Sequence, residues 1–238
     1  MEIGSIDTLI LCGGKGTRLK SVSKDLPKSL VKINNDPFLL ILLNYILDFG
    51  FNRIILCAGY RAEYIEKFIH NFKNDNINLL FSLEERALGT AGAIKNAENL
   101  INTENFLVIN GDTLFKLDYN KFVKYFYDKK AVLSIALLKS FITKDFGSVD
   151  INGAGKIISY NEKVKASGIN NVLVNSGVYL MNKKLLNFIP VNSTVSLELD
   201  TFPLIIGKLN DDVYGYISEA KFIDIGTSKN YYNALKVL

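Results

Sequence analysis

Short, nearly all-apolar runs alternate with stretches of helical spacing through the first 130 residues, and that alternation leaves few folds open. Arg53 to Ala58 is apolar at almost every position, which suits a strand covered on both faces rather than one lying against water. Leu9, Ile10 and Leu11 read as the end of another such strand, Ile77 to Leu83 as a third and Phe106 to Ile109 as a fourth. Between them, Leu39, Leu42, Leu43, Ile46 and Leu47 give one helix a broad apolar face. Asp36 is its expected N-cap, Pro37 its first residue and Gly50 its end. Arg61 to Phe72 and Thr90 to Ile101 supply two more helices. Strand and helix in repetition predict an α/β fold, a doubly wound sheet whose binding loops gather along one edge.

The second half has another texture. A strand over Ala131 to Leu138 precedes a hairpin, Gly147 to Ile151 and Lys156 to Tyr160, turning at Asn152-Gly153. A strand over Val172 to Leu180 follows, then helices over Lys183–Phe188 and Leu197–Leu209, a strand over Val213–Ile217, and a terminal helix from Ser228. These strands are expected to build a second wall against the first half. The chain is therefore read as one continuous domain, 1–238, with a first half (1–130) and a second half (131–238).

Composition narrows the function classes. The net charge of +4 comes from dispersed basic residues with no Lys/Arg block, so nucleic acid is not the expected partner. Residues 1–7 lack the basic flank of a signal peptide, and the run Phe38 to Leu47 is too short to span a bilayer. Cys12 and Cys57 form no C-x-x-C pair and read as reduced core thiols, so a cytoplasmic protein with no membrane partner is expected. His70, the one histidine, excludes His-based triads and His-rich metal sites.

Chemistry concentrates first at Gly13, Gly14 and Gly16, directly after a strand and followed by Thr17 and Arg18. Glycines let backbone amides approach a ligand without an obstructing Cβ, and a guanidinium suits phosphate oxygens. The spacing is neither a Walker P-loop nor a dinucleotide fingerprint, since Leu19 stands where the third glycine would be. With Lys28 ten residues on, two cations on one glycine loop suit a nucleoside triphosphate; a tight turn without ligand is the plainer alternative. Asp112 and Asp224 each end an apolar strand beside a glycine, and two aspartates with a triphosphate would satisfy Mg²⁺. The plainer readings are a turn cap for Asp112 and a surface ion pair for Asp224. Asn175 interrupts an apolar strand and must find partners, in a sugar or in backbone.

Taken in order, Gly13-Gly14-x-Gly16-Thr17-Arg18, Pro27-Lys28, Leu88-Gly89-Thr90-Ala91-Gly92, Asn110-Gly111-Asp112, Phe146-Gly147, Glu162-Lys163, Asn175-Ser176-Gly177 and Asp224-Ile225-Gly226 resemble the signature of the sugar-1-phosphate nucleotidyltransferases. Within that family, Ile10-Leu11-Cys12-Gly13-Gly14, Ser196-x-Glu198-x-Asp200-x-Phe202, and Phe222 to Gly226 leading to Tyr231-Tyr232 resemble the D-glycero-D-manno-heptose 1-phosphate guanylyltransferases. The resemblance implies a Rossmann-like mixed sheet with helices on both faces and an added sugar-binding β region, 131–238 being the sugar-phosphate half. It implies transfer of a nucleotidyl group, GMP from GTP, to a sugar 1-phosphate for surface polysaccharide, by a monomer or homodimer.

By the same resemblance, Leu11, Gly13, Gly14, Gly16, Thr17, Arg18, Lys28, Glu84, Gly89 and Thr90 bind the nucleotide. Asp112, Gly147, Glu162, Lys163 and Asn175 bind the sugar phosphate, and Asp112 and Asp224 hold Mg²⁺. Arg18, Lys28, Asp112, Lys163 and Asp224 carry the catalysis. Glu84 falls where uridylyl- and thymidylyl-transferring relatives often have glutamine. A carboxylate is acceptor-only and matches the two donors of a guanine edge. One departure is Pro27-Lys28-Ser29, where relatives usually carry a second proline. Alternatives are a mannose- or other hexose-1-phosphate enzyme using GTP, UTP or CTP, and a non-catalytic nucleotide-sugar sensor. A glycosyltransferase would show Asp-x-Asp where this chain has Asn110-Gly111-Asp112.

Overall fold

The structure is a computed structural model that describes residues 3–23, 25–74, 76–140, 147–161, 172–209 and 212–238. In chain order, β1 (Asp7–Leu11) leads through a glycine loop to the short α1 (Lys20–Ser23) and a two-residue hairpin, β2 (Lys32–Ile33) and β3 (Asp36–Pro37). Then come α2 (Phe38–Leu47), β4 (Arg53–Ala58), α3 (Ala62–Asn71), β5 (Asn78–Leu83), α4 (Gly89–Asn96), β6 (Asn105–Asn110), β7 (Thr113–Phe115) and α5 (Tyr119–Asp128). The second half contains β8 (Leu133–Ser140), β9 (Ser148–Ile151), β10 (Ile157–Asn161), β11 (Val172–Asn182), α6 (Phe202–Leu209), β12 (Val213–Ile217), β13 (Phe222–Asp224) and α7 (Ser228–Val237).

Strands β6, β1, β4 and β5 lie side by side and parallel. The chain runs outward from β1 through β4 to β5 and then returns to the other side of β1 as β6. That reversal makes a crevice at the carboxyl ends of β1 and β6, where Leu11 pairs with Asn110. Successive residues of each strand serve opposite cores. Leu9, Ile55 and Val108 pack with α4 and α6, whereas Ile10, Leu56 and Ile109 pack with α2, α3, α5 and α7. Both faces being covered, the strands are apolar throughout.

The second-half strands correct the expectation of a separate wall. β11 pairs antiparallel with β6, from Val178 opposite Ile109 to Asn182 opposite Asn105, and β8 and β12 continue outward from it. They widen the same sheet into the mixed one that the resemblance implies, and the β9–β10 hairpin joins where Val174 pairs with Ser148. Two local expectations also change. Asp36 does not cap α2: it pairs with Ile33, and the Phe38 amide donates to Val31 O (3.0 Å) in place of a side-chain cap. The helix expected over Thr90–Ile101 is α4, which ends at Asn96, followed by a separate 3₁₀ turn, Glu98–Leu100. Helix α5 was not foreseen, although Asp118 caps it by accepting from Lys121 N (3.1 Å). Among the described residues no helix is long and apolar enough to cross a membrane.

At the edge opposite the crevice, Asp7 is 1% exposed and ties three strands together. One oxygen accepts from Arg53 Nη1 (2.6 Å) and the other from the amides of Asn102 (2.5 Å) and Thr103 (3.1 Å), which lead into β6. Removing the carboxylate strands a guanidinium and two amides in the interior. Asp7→Ala is therefore expected to destabilise by about 3–5 kcal/mol, read as a fall in Tm of roughly 10 °C or more. Specific activity of the folded fraction should be unchanged, because the crevice is at the other end of the strands.

Candidate active site

The crevice between the ends of β1 and β6 is a cleft of about 330 Å³. Of the expected nucleotide-binding residues, Leu11, Gly13, Gly14, Gly16, Lys28, Glu84, Gly89 and Thr90 line it, together with Asp112. The glycine loop follows β1 directly, held to the neighbouring strand end by Cys12 N donating to Cys57 O (2.7 Å) and Tyr60 N to Gly13 O (3.3 Å). Gly13 is required by proximity: a Cβ there would stand 2.3 Å from Glu84 Oε1. Gly14 faces open space, as a ligand-facing glycine should, and Gly16 turns the chain with φ of 58° against Lys28. Thr17 and Arg18 start a 3₁₀ turn anchored by buried Leu19 and are exposed outside the cleft lining.

Asp112 and Asp224 are far apart in sequence, and the pairing of β7 with β13 brings them together by setting Asp224 opposite Thr113. Ile225 N donates to Asp112 O (3.0 Å), which fixes the two segments in register. The Lys28 ammonium pairs with Asp112 Oδ2 and stands 3.2 Å from where a Gly226 Cβ would be, beside Asp224. Asp224 accepts from Gly226 N (2.5 Å) and Asn230 Nδ2 (2.9 Å). Burial, and then the charge of Asp112, push its carboxyl above the usual range, against the opposing pull of Gly226 N, Lys28 and Asn230. Asp112 is ion-paired in the cleft and also accepts from Thr113 Oγ1 (3.3 Å), while Asp224 is held by Gly226 and Asn230 rather than by a surface cation. Among the described residues no third acidic, histidine or cysteine side chain completes a closed metal cage. The pair fits Mg²⁺, which takes one or two carboxylates and fills its octahedron with phosphate oxygens and water.

Glu84, 8% exposed, sits just after β5 against Gly13 and Gly59. Oε2 accepts from Leu88 N (3.3 Å), leaving further lone pairs on both oxygens. Burial raises this carboxyl above its ordinary value, and the Leu88 amide opposes the rise only in part. Cys12 and Cys57 are buried as expected, with burial raising the Cys12 thiol to about 12.

The sugar side is only partly in view. Glu162 and Lys163 lie outside the described residues, as does Phe146. Gly147 lies under Tyr160, whose hydroxyl would be 2.3 Å from an added Cβ. Asn175 finds its partners inside the protein: Nδ2 donates to Tyr179 Oη (2.7 Å) and Tyr160 Oη (3.1 Å), and Oδ1 accepts from Gly177 N (2.9 Å). Sequence reasoning missed Lys15 and Asn110, which line the cleft. Their positions, between two loop glycines and at the end of an apolar strand, were the available signals.

The nucleotidyl transferase family model matches residues 7–238. The chain is 37% identical to the D-glycero-alpha-D-manno-heptose 1-phosphate guanylyltransferase of Aneurinibacillus thermoaerophilus, covering 98% of both proteins. It is 34% identical to the protein of the same name from Campylobacter jejuni, covering 97% of this chain and 99% of that one. The crystal structure of HddC from Yersinia pseudotuberculosis, complexed with GMP-PN, is similar at a TM-score of 0.83 and 39% identity, covering 98% and 99% of the two chains.

Glu84 makes the cleft pH-sensitive in a defined direction. A carboxyl whose pKa is higher folded than unfolded holds its proton more tightly in the folded state, so stability falls as pH rises through that window. Glu84→Gln should therefore have a higher Tm than the parent at pH 7, with the gap closing below about pH 4, near the unfolded pKa of glutamate. Thermal melts from pH 4 to 8 read this directly; a gap independent of pH would contradict it.

Proposed function

This chain belongs to the nucleotidyl transferase family, and we propose that it transfers GMP from GTP to D-glycero-D-manno-heptose 1-phosphate, releasing pyrophosphate and forming the activated sugar for surface polysaccharide. The observation that carries this reading is one cleft holding the glycine loop, Glu84 and the Lys28–Asp112 pair together.

In this reading a sugar-phosphate oxygen attacks the α-phosphorus of GTP. The new P–O bond forms as the bond to the β-phosphate oxygen breaks, and pyrophosphate carries away the electron pair. The attacking oxygen is already ionised near neutral pH, so no general base is required, and catalysis is positioning and charge stabilisation. Amides of the 13–17 loop with Arg18 hold the β- and γ-phosphates. Lys28, which pairs with Asp112, neutralises the α-phosphate, and Lys163 holds the sugar phosphate. Glu84 accepts from guanine N1–H and N2–H₂ through the lone pairs that Leu88 leaves open. Asp112 and Asp224 would hold Mg²⁺, which when bound neutralises the reacting phosphates. With both thiols buried and reduced, the enzyme suits the cytoplasm.

Pyrophosphate release measured over a matrix of GTP, UTP and CTP against heptose, mannose and glucose 1-phosphates tests the reading. GTP with the heptose substrate should be the best pair; a best pair with a hexose would reassign the sugar, and no release would favour a sensor. Asp224→Asn should lower kcat by about 10²-fold or more while the protein stays folded. Glu84→Gln should erode the preference for GTP over UTP, and an unchanged ranking would remove Glu84 from base recognition.

A further inference from the structure

Residues 192–198 lie across the segment that carries Gly89 and Thr90. Arg86 Nη2 donates to Asn192 O (2.6 Å), Thr194 Oγ1 to Ala87 O (3.0 Å), Val195 N to Leu88 O (2.8 Å) and Ala91 N to Val195 O (3.0 Å). Gly89, with φ of 74°, is glycine because a Cβ would lie 2.5 Å from Val195 O. Glu198 stands at the end of this strap, in the wide helical turn Leu197–Thr201.

Hydrogen-bond direction in this region is fixed step by step. Asn175 Oδ1 accepts from Gly177 N, so Nδ2 must donate, and Tyr179 Oη receives one of its protons. Tyr179 Oη, having accepted, donates onward to Glu198 Oε1 (3.4 Å). Thr90 Oγ1 accepts from Leu197 N (2.8 Å) and so donates to Glu198 Oε2 (2.7 Å). Ser196 Oγ accepts from Glu198 N and Leu199 N (both 3.1 Å) and donates to the same Oε2 (2.8 Å). Three hydroxyl donors converge on one side chain. An acceptor-only carboxylate satisfies all of them, and an amide cannot, because its NH₂ would face a donor whichever way it is turned.

The two ends of this relay lie in different halves of the protein. Thr90 lines the nucleotide cleft at the start of α4. Asn175 sits at the register shift of β11, where Gly177 presses against Asn110 of the cleft, and its other donor bond reaches Tyr160, on the strand that leads to Glu162 and Lys163. We infer that Glu198 is a positioning residue that orients the nucleotide-facing Thr90 and the buried Tyr179–Asn175–Tyr160 group of the second half at once. It sets the two substrate-binding halves in their working relation without touching either substrate. The inference deepens the proposed guanylyltransferase reading and rests on it.

Steady-state kinetics with GTP and heptose 1-phosphate, alongside thermal melts, test it on Glu198→Gln, Thr90→Val, Tyr179→Phe and the double variant of the last two. Glu198→Gln should raise the KM of both substrates by about fivefold each, the scale of one lost hydrogen bond. Thr90→Val should raise the KM for GTP alone and Tyr179→Phe the KM for the sugar phosphate alone. The double variant, which keeps the carboxylate, should raise both and so reports even if Glu198→Gln fails to fold. A lower Tm with both KM values at the parent level, or an effect of Glu198→Gln on one substrate only, would reduce Glu198 to a helix cap and overturn the inference. A parent enzyme that releases no pyrophosphate would overturn the functional reading, and this one with it. Turnover by the parent with unchanged variants would overturn only the role of Glu198.

Discussion

A parallel sheet buried on both faces has nowhere to put polar chemistry except at its ends, and that constraint organises this molecule. Leu9 and Ile10 serve different cores, as do Ile55 and Leu56, so the middle of these strands is closed to a water-soluble ligand and only end residues such as Leu11 and Asn110 reach the cleft. The amino-terminal edge is spent on structure, where Asp7 locks Arg53 and the segment entering β6. The carboxyl edge is left for function. There the reversal of strand order between β1 and β6 opens the cleft, and the loops after both strands supply its walls.

Within the cleft, charge is distributed so that acidic groups stay useful despite burial. Asp112 and Asp224 repel each other, and the ammonium of Lys28, paired with Asp112, offsets part of that repulsion. Among the described residues Glu84 has no such cation in contact, and Leu88 N donates to it. Sites that must receive charged substrates commonly carry such unrelieved electrostatics. The same logic explains why Gly13 and Gly226 are glycines: each leaves room beside a carboxylate that a methyl group would displace.

Much of the fold was legible because its signals are local. Arg53–Ala58 and Val213–Ile217 appear with the bounds their apolar runs imply, and the hairpin turns at Asn152-Gly153. The errors came where tertiary pairing outvoted local preference. Asp36-Pro37 has the look of a helix start, yet both residues are used to pair with β2, and Val31 O takes the amide that a cap would have taken. For Asn175, read as needing partners in a sugar or in backbone, the strand pattern does not show that the hydroxyls of Tyr179, four residues on, and Tyr160, fifteen residues back, turn towards its amide.

By itself the sequence determined the alternation of strands and helices, the place of the glycine loop after β1, the set of charged residues available for chemistry, and, through an ordered series of motifs, the family. These follow from spacing, glycine's freedom and side-chain type, all properties of short segments. Tertiary structure alone decided that the second half extends the first half's sheet, that β13 lies on β7 so that Asp224 meets Asp112, and that Glu198 gathers donors from Thr90 and Tyr179. Each of these depends on how segments far apart in the chain meet, as with Thr90 and Glu198, 108 residues apart. Register at that range is set by how whole faces pack, and no local pattern carries it.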